Sequence, residues 1–170
     1  PIPAEQSVCL ETINVTCLEK NKKFVTERAA AILGIQEHKV PEGKMKEMKK
    51  YFDEQGWELQ CGPCESETKK PNAGVGIAVR KCHHNSIKIV PTKIRIRNFQ
   101  EAHDAGRVAK YQIDMGWDMN ILIYVIYGMT GGSGEARLAT NAIIDAIREE
   151  TDQETYLPTI IMGDYNAEPE

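Results

Sequence analysis

Ile121 to Tyr127 is an unbroken run of isoleucine, leucine, valine and tyrosine, and it constrains the fold more than any other stretch of the chain. Seven such residues read as a strongly β-prone core strand. Gly128-Met129-Thr130-Gly131-Gly132-Ser133-Gly134 follows, and then an amphipathic helix to about Glu150 that would turn Leu138, Ala142, Ile143, Ala146 and Ile147 inward. A second apolar, β-branched run, Thr159 to Met162, reads as a buried strand. Strand, glycine loop and helix invite a phosphate-loop reading. No Lys-Ser/Thr pair follows the glycines and the dinucleotide spacing fails, so neither nucleotide motif is met.

The second run stops at Gly163 and continues Asp164-Tyr165-Asn166. Side chains alternate along an extended chain, so Asp164 and Asn166 would point the same way from the strand's carboxyl end, where open α/β sheets place their chemistry. A carboxylate there can orient or deprotonate water, and a neighbouring amide can hold water or phosphate without adding charge.

Earlier in the chain, residues 12–16 (Thr-Ile-Asn-Val-Thr) form a short β-branched run with Asn14 at its middle. A helix is predicted over 22–33 with Gly34 as its stop, and Ile35-Gln36-Glu37-His38 reads as a short strand end exposing Glu37. A carboxylate in that place suits Mg²⁺, which takes few protein oxygens. His38 reads as a bystander, because no His or Cys partner stands at metal-site spacing. Pro41 suits a first helical position; Met45, Met48 and Phe52 mark the buried stripe, while Lys44, Lys46, Lys49 and Lys50 form a solvated face. Strands are predicted over 57–60, 73–79 and 108–113, with a loop over 98–106 and a turn at Gly116. From Lys93 to Arg97 cations alternate with Ile94 and Ile96, which would set Lys93, Arg95 and Arg97 on one strand face, as a solvated surface or a track for a phosphate backbone.

Cys61-Gly62-Pro63-Cys64 matches a thioredoxin-type redox motif. That chemistry needs the first cysteine at a helix N-terminus. Pro71, Asn72 and Gly74 forbid a long helix, and Glu65 and Glu67 oppose a thiolate, so the stretch reads as a polar loop. Five cysteines without framework spacing fit reduced thiols. At 41% hydrophobic and 27% charged residues, the 170 residues form one domain with a real core. The net charge of −4 excludes coating nucleic acid by bulk electrostatics and leaves only local contacts. No apolar run reaches the roughly 20 residues of a bilayer span and no secretory signal opens the chain, so a soluble, intracellular protein without membrane contact is expected. Opening at Pro1 and closing just past Pro169, the chain is expected to be a piece of something longer.

The order of polar residues at strand positions, Asn14, Glu37, Tyr127, then Asp164 with Asn166, resembles the endonuclease/exonuclease/phosphatase superfamily. Thr-Ile-Asn-Val is similar to its first-strand asparagine motif, Ile-Gln-Glu-His to its Gln-Glu motif, and Ala-Gly-Val-Gly-Ile-Ala-Val to its Ser-Gly-Val-Ala strand. Gly106-Arg107-Val108, Val-Ile-Tyr-Gly and Gly-Asp-Tyr-Asn-Ala-Glu-Pro continue the likeness. Asn-Val-Thr and Gln-Glu-His look most like LINE-type retroelement endonucleases, which also resemble apurinic endonucleases. The resemblance implies a two-sheet α/β sandwich over residues 1–170 and Mg²⁺- or Mn²⁺-dependent hydrolysis of DNA. Glu37, with Asn14 nearby, would hold the metal. Tyr127 would hydrogen-bond the scissile phosphate, Asp164 position the water and Asn166 steady both, while Arg107, Lys93, Arg95 and Arg97 would meet DNA. The family continues past Gly-Asp-x-Asn to further strands and a Ser-Asp-His motif. The resemblance therefore implies an N-terminal portion of the domain with weak activity, a free sheet edge that a protein partner could cover, and a nuclear location if it is a retroelement enzyme. Its alternatives are a phosphatase acting on nucleotides or inositol lipids, and a catalytically silent fragment serving an assembly.

Overall fold

The computed structural model describes residues 7–64, 72–81, 87–116, 118–154 and 156–166. Glu65, Glu67, Pro71, Cys82 and the Ala-Glu-Pro tail after Asn166 lie outside the described residues.

Among the described residues eight strands form two four-stranded sheets. The first holds β1 (Leu10–Asn14), β2 (Ile32–Gln36), β3 (Trp57–Cys61) and β4 (Val75–Arg80), in the order β1-β2-β4-β3. The second holds β5 (Lys88–Val90), β6 (Val108–Asp114), β7 (Asn120–Tyr127) and β8 (Thr159–Asp164), in sequence order. Within each sheet one edge pair is parallel, β1 with β2 and β7 with β8, and every other pairing is antiparallel.

The period-two alternation of each strand sorts its side chains between two cores. Ile121, Ile123 and Val125 of β7 join Val75, Ile77 and Val79 of β4 in an apolar layer between the sheets. Leu122, Tyr124 and Ile126 face outward onto α3 (Arg97–Asp104) and α4 (Gly134–Thr151), where Phe99, Ile143, Ala146 and Ile147 cover them. On the other flank α1 (Leu18–Thr26) and α2 (Glu42–Glu54) bring Leu18, Val25, Met48 and Phe52 over Leu33, Ile35, Trp57 and Leu59. Coverage on both faces is why the run 121–127 is apolar at every position.

Several sequence expectations change. The helix predicted over 22–33 is α1, ending at Thr26, and its intended stop Gly34 lies inside β2. The strand run Ile32-Leu33-Gly34-Ile35 claims the helix's last residues because its side chains fill two cores at once. Pro41 precedes α2 rather than opening it. Asn14 is the last residue of β1, not the middle of its strand. The loop predicted over 98–106 contains α3, whose only buried side chain is Phe99, so it carries little apolar periodicity. Leu138 and Ala142 are exposed on α4, because its buried face runs through Thr140, Ile143, Ala146, Ile147 and Glu150 instead. Finally β8 is an edge strand with Ile160 and Ile161 36% and 40% exposed, not a buried strand.

Lys93–Arg97 is not a strand either. Residues 91–96 are held by a buried ion pair: the Lys110 ammonium donates to Glu150 and Glu154, each at 2.6 Å, and to the Lys93 carbonyl at 2.7 Å. Glu150 in turn accepts the backbone N–H groups of Arg95 and Ile96. The Arg95 and Ile96 N–H groups and the Lys93 carbonyl are thus satisfied by side chains instead of a neighbouring strand. Ile94 and Ile96 pack inward while Lys93, Arg95 and Arg97 stay exposed, two of them paired with acids: Arg95 with Glu154 at 3.6 Å and Arg97 with Glu101 at 2.8 Å.

Candidate active site

The two parallel edge pairs determine where the chemistry can sit. β1 and β2 end together, with Asn14 in register with Gln36, and β7 and β8 end together, with Tyr127 in register with Asp164. Glu37 follows β2 directly, so four polar residues leave four strand ends. Gly34 lets the two sheets meet there, because a Cβ on it would stand 3.1 Å from the Met162 side chain. Gly163, at φ +149°, lies within β8 opposite Ile126, one residue before Asp164. A Cβ at that position would collide with the Ile126 carbonyl.

Asn14 joins the halves. Its amide nitrogen donates to Glu37 Oε1 at 2.9 Å and to Asp164 Oδ2 at 3.1 Å, across 150 residues of sequence in the second case. Its oxygen accepts the Thr16 N–H at 3.0 Å, which fixes the amide's orientation. Asn14 therefore offers the carboxylates a donor, not an oxygen ligand. Glu37 also receives the Lys39 ammonium on Oε2 at 2.7 Å and the Tyr127 hydroxyl. Partial burial works to raise the Glu37 pKa, and Lys39, Asn14 and Tyr127 outweigh it, leaving the carboxyl below its ordinary value. Burial first, then the Glu37 carboxylate, pushes the Tyr127 phenol up to about 12, so it is a neutral donor at physiological pH.

Asp164 Oδ1 accepts the Asn166 N–H at 3.0 Å, which leaves Oδ2 facing Asn14 and Glu37. Asn166 turns its own amide back onto the Gly128 carbonyl at 2.9 Å and so clasps the ends of β7 and β8. Arg107 places its guanidinium 5.0 Å from the Tyr127 ring centroid, beside the site. The structure thus brings together Asn14, Glu37, Tyr127, Asp164 and Arg107, with Asn166 adjoining. Lys93, Arg95 and Arg97 belong instead to the segment pinned against α4. Lys39 was not singled out from the sequence; its signal was a cation two residues beyond an exposed strand-end carboxylate.

His38 holds the loop that carries Glu37. Its Nδ1 accepts the Val40 N–H at 3.0 Å, so Nε2 carries the proton and donates to the Gly62 carbonyl at 3.2 Å. Burial lowers its pKa to about 4 and keeps it neutral. The cysteine pair does not take a redox geometry. Cys61 ends β3 rather than starting a helix, burial pushes its thiol up to about 12, and Cys64 donates to the Val40 carbonyl at 3.3 Å.

A magnesium or manganese ion suits the donor set. Both metals favour hard oxygens, and magnesium keeps several waters beside one or two carboxylates. Glu37 and Asp164 supply two carboxylates bonded to a single nitrogen. Among the described residues no cluster of three or more His, Cys, Asp or Glu stands at ligand spacing, so any ion here would be held mainly by these two and water. No described helix is long and apolar enough to cross a membrane.

No protein-family model and no curated protein matches the chain. Solved structures do. A 3′ phosphatase from Neisseria, bound to a product DNA hairpin, superposes at TM-score 0.64 with 15% identity over 94% of this chain and 58% of its own. TDP2 from D. rerio, in a humanised form, gives 0.64 with 11% identity over 95% and 63%. An AP endonuclease from Leishmania major gives 0.59 with 18% identity over 92% and 54%. The chain spans under two thirds of each of these proteins. With its two mixed sheets, four flanking helices and these neighbours, the chain has the α/β sandwich fold of the endonuclease/exonuclease/phosphatase proteins.

Proposed function

We propose that this chain carries the Glu37 and Asp164 half of a divalent-metal-dependent phosphodiesterase site that cuts DNA and leaves a 3′-hydroxyl. The carrying observation is that Asn14 binds both carboxylates at once, at strand ends contributed by different sheets. A magnesium or manganese ion held by Glu37 would supply neutralisation of charge on the phosphoryl oxygens. Asp164 orients or deprotonates the attacking water through Oδ2, Asn14 keeps the two carboxylates in register, and Tyr127 donates its hydroxyl toward a phosphate oxygen. Arg107, stacked on Tyr127, meets the neighbouring backbone phosphate. Lys93, Arg95 and Arg97 offer a second, weaker contact, since two of them already hold acids. The Asn-Val-Thr and Gln-Glu-His details favour a retroelement-type enzyme working in the nucleus. The free edge of β8 is where a protein segment would complete the sheet.

The test is nicking of supercoiled and abasic plasmid with Mg²⁺, in the 170-residue chain and in longer chains containing it. Glu37→Gln and Asp164→Asn are each expected to cut at least about 100-fold more slowly. Equal cutting by wild type and Glu37→Gln would remove the proposal. A phosphatase of the same fold is the second reading, favoured by matched structures that include the 3′ phosphatase and ANGEL2, a 2′,3′-cyclic phosphatase. Faster release of phosphate from nucleotides or inositol phosphates than cleavage of DNA would select it.

A further inference from the structure

Glu37 and Lys39 both have left-handed backbones, at φ +54° and +51°, a conformation that costs a non-glycine residue and persists only where its surroundings enforce it. The enforcement is visible. His38, between them, is fully buried and bonded through both ring nitrogens, and the backbone N–H groups of His38 and Lys39 donate to the Gly74 and Ala73 carbonyls at 3.1 and 3.2 Å. The outcome is a carboxylate and an ammonium two residues apart that meet at 2.7 Å. The Lys39 side chain is only 25% exposed, against 82% and 77% for Lys23 and Lys50 in their helical surface pairs. Lys39 is held against Glu37 rather than extended into solvent.

We propose that Lys39 is the site's resident cation, which occupies Glu37 Oε2 while Asn14 holds Oε1, leaves that carboxylate no oxygen without a donor, and so sets a weak affinity for a single divalent ion. The inference rests on the divalent-ion reading of the site and adds to it a residue that determines how tightly the ion is held. Its physical basis is that Glu37 and Asp164 bring two negative charges and Lys39 one positive charge, so a dication entering beside Glu37 meets a like charge within a few ångströms. With Oε1 shared with Asn14 and Oε2 with Lys39, no oxygen of Glu37 is free of a donor. Removing the ammonium frees Oε2 and deletes the repulsion together.

The test is Mn²⁺ binding to the intact chain, followed by the loss of the free ion's electron paramagnetic resonance signal, with circular dichroism as a check on folding. Lys39→Met is expected to bind Mn²⁺ at least about tenfold tighter than wild type, and Lys39→Arg to restore the wild-type affinity to within about threefold. A lysine that only supports the loop would instead weaken binding when lost. If wild type binds and Lys39→Met binds equally or more weakly, the role given to Lys39 is wrong while the ion site stands. If neither wild type nor Lys39→Met binds, the ion site itself is refuted and this inference falls with it.

Discussion

Replacing Glu150 by alanine tests whether the buried ion pair, rather than strand pairing, holds residues 91–96 in place. Glu150 and the Lys110 side chain are 0% and 1% exposed, and Glu150 also accepts two backbone N–H groups. Glu150→Ala leaves Lys110 with Glu154 and the Lys93 carbonyl but strands both amides. Breaking a buried pair from one side costs about 3 to 5 kcal/mol, because a charge is left uncompensated. Glu154 retains part of that compensation, and the two orphaned amides add about 1 to 3 kcal/mol each. A loss of about 4 kcal/mol in urea unfolding is therefore expected. The double variant Lys110→Met with Glu150→Leu is expected to lose less than the two single changes combined, since it removes both charges together. Burial works to raise the Glu150 pKa, and Lys110 and the two amides more than offset it, leaving the group below its ordinary value. Its contribution is full above the ordinary carboxylate range and fades as the pH falls through the lowered pKa, a slope that Glu150→Gln is expected to lack. A loss under about 1 kcal/mol for Glu150→Ala would refute the reasoning.

Other outcomes follow from single contacts. His38 has a folded pKa of about 4 against an ordinary 6.5, so the unfolded chain binds its proton first. Stability is expected to rise by about 3 kcal/mol from pH 4 to pH 6.5 on this account and stay level above it, and denaturation of His38→Gln at several pH values checks the loss of that slope. Gly34→Leu forces a side chain against Met162, which is expected to cost about 1 to 3 kcal/mol and to weaken Mn²⁺ binding by parting Glu37 from Asp164. Cys61, whose thiol is pushed up to about 12, is expected to react with iodoacetamide at pH 8 far more slowly than the exposed Cys9, as read by mass spectrometry.

The parts of this fold legible in the sequence are those whose neighbours are local or whose apolar pattern is uninterrupted. The run 121–127, the glycine loop and the helix to about residue 150 correspond to β7, its loop and α4, and Asn14, Glu37, Tyr127 and Asp164 were legible as polar residues at strand positions. Tertiary contacts hid the rest. Gly34 reads as a helix stop because glycine usually is one, yet its role is to admit Met162 from the other sheet. The alternation from Lys93 to Arg97 has strand periodicity, but its amides are claimed by Glu150, some fifty residues away. β8 has the composition of a buried strand and stands at an edge. At the site, the sequence marks the carboxylates and Asn14, but neither the bridge that this amide makes between them nor the lysine that shares one of them. Those roles depend on which way a side chain turns.

The most direct measurement of the central claim, that Glu37 and Asp164 serve one ion, is a Mn²⁺ titration of wild type, Glu37→Gln, Asp164→Asn and the double variant. One ion per wild-type chain is expected, lost in each single variant, with the double variant no worse than either. Independent, additive losses, or unchanged binding in one of the single variants, would place the two carboxylates in separate sites.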